Sequence, residues 1–196
     1  MSDQPETKTI GILKTPNDSR VCMLPKEVKR LCSELKLNVV FESGLGDSLL
    51  VKDDEYEEVG AKVLNRDSIF TDADYILSIG HVFNEEKLGS NTSFIGIYNP
   101  LFYSSKLDVY KKHNASVYSL DLLPRTTLAQ SMDVLSSMAS LAGYRAVIKA
   151  TTLYNGVLPM FTTAAGTIRP AKVLILGAGV AGLQAIATAR RLGAVV

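Results

Sequence analysis

Residues 124–133, PRTTLAQSMD, gather an arginine, an amide and a carboxylate ahead of VLSSMASLAGY, where no charge returns until Arg145. Arg125 and Asp133 are near enough in sequence to pair across a loop. Gln130 carries an amide that both donates and accepts hydrogen bonds. The same residues also admit a plainer reading, with Ser131 as a helix N-cap, Asp133 as a first-turn acid favoured by the helix dipole and Arg125 solvated. A second motif lies further on, where VLIL runs into Gly177-Ala178-Gly179-Val180-Ala181-Gly182. Gly177 suits a tight turn out of a strand, Gly179 close backbone approach to a pyrophosphate, and Gly182 close packing of helix and sheet, with the phosphate charge at a helix N-terminus. A strand before the glycines and a helix after them are the context this fingerprint needs.

The elements that would hold these motifs are legible as alternating patterns. TIGILK (9–14), NVVFES (38–43), DYILSIG (74–80), SFIGIYN (93–99) and ASVYSLD (115–121) read as strands. LPKEVKRLCSELK (24–36), DDEYEEVGAKV (53–63) and SSKLDVYKKHN (104–114) read as helices, with Pro25 suited to a first turn. Strands and helices at this spacing predict a doubly wound parallel sheet, an α/β domain over about residues 1–125. A helix from about Ser131 to Tyr154 follows, and its small residues, Ser136, Ser137, Ala139, Ser140, Ala142 and Gly143, let another element pack close. Residues 126–170 are expected to join two domains, with 155–170 a turn-rich connection. Residues 171–196 are expected to be the first β-α unit of a Rossmann domain, with a strand at 173–176 and a helix to Leu192. The acidic residue that grips the adenosine ribose would lie beyond Val196, so the nucleotide domain is expected to be incomplete and to expose apolar surface.

Composition narrows the classes. The chain has 196 residues, 46% of them apolar, enough for a globular core. With 21 basic and 20 acidic residues the net charge is +1, which offers nucleic acid no field. Two cysteines, Cys22 and Cys32, make neither a disulfide framework nor a metal site, and no run of 18 apolar residues or apolar leader is present. The chain is therefore expected to be soluble. His81, alone at a strand end, reads as a hydrogen-bonded side chain rather than a ligand.

Two blocks carry a family resemblance. RTTLAQSMDVLSSMASLAGYRA (125–146) and MFTTAAGTIRPAKVLILGAGVAGLQAIATARRLGAVV (160–196) resemble the NAD(H)-binding component, the soluble first domain of the alpha subunit, of proton-translocating NAD(P) transhydrogenases. The N-terminal region, including ESGLGDSLL, resembles more loosely the domain these proteins share with alanine dehydrogenases. The resemblance implies hydride transfer from NADH to NADP(H) held on a partner subunit, with proton translocation in the whole complex. It implies that Arg125, Thr126, Thr127, Gln130, Ser131, Asp133 and Ser136 hold the nicotinamide end, with Gln130, Arg125 and Asp133 at the reacting centre and Gln130 orienting the ring. Gly177, Gly179, Val180 and Gly182 would meet the pyrophosphate. It further implies a homodimer, membrane subunits as partners, and a cytoplasmic place at the inner membrane. Hydride passage between two nicotinamides moves no proton, so such a site needs orientation rather than a tuned acid or base.

Two rival readings remain. In an alanine dehydrogenase-like enzyme, Arg20 would grip a substrate carboxylate, but Ser78 stands where that family carries a lysine and no histidine lies near FIGIYNP. Arg20 and Lys14 then read as loop-bracing residues. Alternatively the chain is a truncated piece, inactive alone, that serves only assembly.

Overall fold

The structure is a computed structural model that describes residues 7–82 and 91–196. Residues 1–6 of the polar opening stretch, and the DYILSIGHVFNEE segment from residue 83 onward, lie outside the described residues. The chain divides into two compact units, Met1–Pro124 and Arg125–Val196.

In the first unit six strands pair in parallel: β1 (Thr9–Ile12), β2 (Asn38–Glu42), β3 (Lys62–Leu64), β4 (Tyr75–Ile79), β5 (Ser93–Ile97) and β6 (Ser116–Ser119). Their order is β3-β2-β1-β4-β5-β6, so the chain winds outward from the centre, crosses back, and winds outward on the other side. This is the doubly wound sheet that the alternation of strands and helices predicts. Its helices are α1 (Pro25–Ser33), α2 (Asp53–Glu57), α3 (Arg66–Asp72) and α4 (Leu107–Lys112).

Successive strand side chains face opposite ways, and the sequence supplies apolar groups for both faces. Ile12, Val39 and Phe41 enter one cluster with Val28 of α1 and Tyr56 of α2. Their neighbours Leu13 and Val40 enter the other, with Ile69 and Phe70 of α3, Phe94 of β5 and Tyr110 of α4. Ile12, Val28, Phe41, Tyr56, Ile69, Phe70 and Phe94 have no exposed surface, and each such side chain contributes roughly 1.5–3 kcal/mol by leaving water.

Three local expectations need correction. Residues 53–63 are not one helix: α2 stops at Glu57, Gly60 turns the chain with φ +101°, and β3 follows. The sequence reading missed β3 and α3; α3 starts at Asn65, whose side chain accepts from the Ser68 amide at 2.9 Å. Residues 155–170 are not only connection, because β7 (Phe161–Thr163) and β8 (Gly166–Ile168) form an antiparallel hairpin.

In the second unit a 3₁₀ turn (Leu128–Met132) leads into α5 (Val134–Leu153), and α6 (Val180–Arg191) packs on α5. The expected strand at 173–176 is a further correction. The segment contributes one parallel bridge, Lys172 to Val195, closed by Val173 N–H to the Val195 carbonyl at 2.8 Å and Val195 N–H to the Ala171 carbonyl at 2.9 Å. With pairing on that side alone no ladder extends, and Leu174 and Leu176 stand 85% and 88% exposed, the apolar exposure expected of this region.

Candidate functional site

The chain from Arg125 to Asp133 is shaped by its own short-range bonds. The Thr126 carbonyl and hydroxyl both accept from the Ala129 amide, at 3.1 and 3.3 Å, and Ala129 is buried. The Gln130 amide reaches the Thr127 carbonyl at 3.4 Å, and the Asp133 amide reaches the Gln130 carbonyl at 3.3 Å. This winding spends backbone groups and the Thr126 hydroxyl, while Arg125, Thr127, Gln130 and Ser131 remain exposed. Among the described residues the Gln130 amide has no side-chain partner, so it is available to a ligand.

Asp133 caps α5, where the plainer sequence reading put Ser131. Its carboxylate accepts from the Ser136 amide at 2.9 Å and from the Ser136 hydroxyl at 2.6 Å, satisfying one of the orphan donors of the helix start. The Ser136 hydroxyl, then the Ser136 amide, hold the Asp133 carboxyl below its ordinary range, and the positive charge of Arg125 adds a smaller pull. No Arg125–Asp133 contact within 4 Å forms, because Asp133 turns inward to the helix start instead.

A depressed carboxyl favours folding in its ionised form. The Asp133 contribution is therefore present above 3.8, its ordinary value, and is lost as pH falls below it. Asp133→Ala is expected to lower the melting temperature at pH 7 by a few degrees, a gap that closes on acidification, whereas Asp133→Asn keeps the cap without the pH dependence. Thermal melts followed by far-UV circular dichroism across that range check this; a gap independent of pH would contradict it.

The glycine motif forms the turn into α6. Gly177 has φ +103°, a conformation side chains resist, and neither Gly177 nor Gly179 has an atom within 4 Å of where a Cβ would lie. A Cβ on Gly182, by contrast, would fall on the Gly177 carbonyl oxygen. No side chain caps α6, so its first amides, at Val180, Ala181 and Gly182, keep free hydrogens at the positive end of a 12-residue helix. An uncapped helix start with open space over its glycines fits a pyrophosphate.

The two motifs are linked by α5 and α6. Gly143, buried in the middle of α5, lies against the backbone of Ala181, and a Cβ there would strike the Ala181 carbonyl oxygen. Small residues on α5 suggested this close packing; the sequence alone did not single out Gly143.

In the first unit a cavity of about 620 Å³ opens beside the carboxyl ends of β1 and β2, lined in part by Lys14, Thr15, Glu42 and Arg66. Its charges are already paired: Glu42 receives Arg66 Nε at 2.9 Å, Arg66 Nη2 at 2.7 Å and the Lys14 amide at 2.9 Å. Arg20 is likewise held, by Asp18 at 2.6–3.1 Å, which in turn draws the Asp18 carboxyl down. Ser78 is buried and shares a 3.0 Å hydrogen bond with the Tyr98 hydroxyl. The substrate-gripping arrangement of an alanine dehydrogenase is thus not formed by these groups. His81 Nε2 lies 2.7 Å from the Tyr98 carbonyl, and burial pushes its pKa down. Burial also raises the Cys22 thiol to about 11, too high for a nucleophile.

Comparison with known proteins gives two adjoining family matches: "Alanine dehydrogenase/PNT, N-terminal domain" over residues 14–142, and "Alanine dehydrogenase/PNT, C-terminal domain" over residues 146–196. A Rickettsia prowazekii protein, named as the first portion of a divided NAD(P) transhydrogenase subunit alpha, is 39% identical over 93% of this chain and 49% of its own length. The crystal structure of a Sinorhizobium meliloti transhydrogenase is 42% identical with a TM-score of 0.89, over 95% of this chain and 55% of that one. An L-alanine dehydrogenase structure has a TM-score of 0.78 at 21% identity, a likeness of fold. The chain spans about half the length of the curated relatives it matches.

Proposed function

Because the chain belongs to the alanine dehydrogenase/PNT family, we propose that it is the NAD(H)-binding part of an NAD(P) transhydrogenase. The observation that carries this reading is in the second unit: an uncapped glycine turn with open space over it, packed through α6 on the helix whose start carries Arg125, Gln130, Asp133 and Ser136. When bound, NADH supplies the hydride, which passes to NADP⁺ on a partner subunit. The amides of Val180, Ala181 and Gly182 hold the pyrophosphate charge. Arg125, Thr127, Gln130 and Ser131 present donors and acceptors to the nicotinamide end, and Asp133 with Ser136 braces the loop that bears them. Thr126 belongs to the same loop and shapes it from within. No side chain in this set is placed as a proton carrier, which suits a transfer that moves none.

The rest of the reading follows the relatives. In the whole complex the transfer is coupled to proton translocation by membrane subunits, and this chain sits on the cytoplasmic side of the inner membrane through contacts with them. Among the described residues no helix is long and apolar enough to cross a membrane. A homodimer is supported by the apolar hairpin, where Met160, Phe161 and Ile168 are about half exposed or more and association would cover them.

Calorimetric titration tests the cofactor reading, on this chain and on one continued through the further length its relatives have, with NADPH as control. NADH binding without NADPH binding is expected, at the latest in the continued chain. Failure of both forms to bind either nucleotide would leave the glycine turn structural and favour a role in assembly alone.

A further inference from the structure

Glycine inside a helix weakens it relative to alanine, because the chain gives up more conformational freedom on folding. Gly143 sits in the middle of α5, which runs Val134–Leu153, and it is one of the two buried residues of that helix. Its reason is a close approach. The Ala181 carbonyl oxygen lies where a Cβ would be, with the Ala181 carbonyl carbon 2.9 Å and Cα 3.0 Å from that point. Ala181 belongs to the first turn of α6, directly after the glycine turn.

The contact therefore joins two regions of the proposed site. Gly143 is ten residues along α5 from its Asp133 cap, about 15 Å at the usual helical rise, a span that an extended dinucleotide bridges. On the other side of the contact stand the amides of residues 180–182. Backbone against backbone is the tightest fit two helices can make, and no rotamer change can relieve an added atom there.

We propose that Gly143 is a positioning residue: by seating the first turn of α6 directly on α5, it sets the distance between the pyrophosphate turn and the nicotinamide loop. The inference rests on the cofactor reading given above. Widening the gap leaves each half of the site intact but mismatches them, so a ligand that spans both halves suffers and a ligand that meets only the turn does not.

The test compares NADH with ADP-ribose, which carries the pyrophosphate but lacks nicotinamide, in the form of the chain that binds NADH in the titration above. Gly143→Ala is expected to weaken NADH binding about tenfold, with Gly143→Val weaker again, while ADP-ribose binding and the far-UV circular dichroism stay near wild type. Unchanged NADH affinity in Gly143→Ala overturns the proposal. So does parallel loss of both ligands or of helical signal, which would assign Gly143 to folding alone. If the unsubstituted protein binds NADH and the variants show no selective loss, only this inference falls; if it binds no nucleotide, the cofactor reading falls first.

Discussion

Gly182→Val is expected to abolish measurable NADH binding. Gly182 is the third residue of α6, and a Cβ there would occupy the position of the Gly177 carbonyl oxygen. Backbone lies on both sides of the contact, so α6 must lift its first turn away from the glycine turn to admit the side chain. The amides of Val180, Ala181 and Gly182 then no longer converge on one anion. Losing two charge-assisted hydrogen bonds weakens binding on the order of 10²-fold or more. Gly179→Ala is the contrasting variant: nothing in the protein lies within 4 Å of its Cβ position, so the fold accepts it and only the ligand meets the new methyl. Calorimetry on both variants, with circular dichroism to show that α6 persists, separates a turn built for its own packing from a turn built for a ligand. Wild-type NADH affinity in Gly182→Val would contradict the proposed role of the turn.

Much of the first unit was legible because each strand carries apolar groups on both faces, as in Ile12-Leu13 and Val39-Val40-Phe41, and such runs belong to a sheet covered on both sides. What escaped were elements too short to show a period. β3 has three residues and lies at the sheet edge, with Lys62 and Val63 exposed, and α3 is seven residues long with only Ile69 and Phe70 fully buried. The strand expected at 173–176 failed for the opposite reason. Its pattern was strong, but a strand is defined by its neighbours, and only Val195 pairs with it.

The site was legible in residue types and less so in geometry. Arg125, Gln130 and Asp133 announced a polar cluster before an apolar helix, and the spacing of the glycines announced a turn. Which partner Asp133 chooses was not decidable from spacing: an arginine eight residues away and a helix amide three residues away both suit a carboxylate. The cap wins because it joins residues already fixed by the helix, whereas the arginine would have to give up side-chain freedom to reach it. Gly143 was hidden among other small residues, since nothing local tells which of them meets a neighbouring backbone.

The second large effect concerns Gln130, and it is expected in rate rather than affinity. Gln130 is exposed at the end of a loop whose shape is held by Thr126, by buried Ala129 and by the Asp133–Ser136 cap. Truncating its side chain removes no contact of the fold, so Gln130→Ala leaves stability and the pyrophosphate turn as they are. Its amide is the group of the loop able both to donate and to accept toward a carboxamide, which makes it the one suited to fix how the nicotinamide ring faces its partner. Misplacing reacting atoms by about 1 Å costs roughly 10²-fold in rate. Gln130→Ala should thus lower the hydride-transfer rate by about that factor, measured with the NADP(H)-binding partner subunit by rapid mixing, while the NADH dissociation constant moves by only a few-fold. A loss of affinity as large as the loss of rate would make Gln130 a binding residue instead. An unchanged rate would place ring orientation elsewhere, with Arg125 and Ser131 the next exposed donors of the same loop to replace.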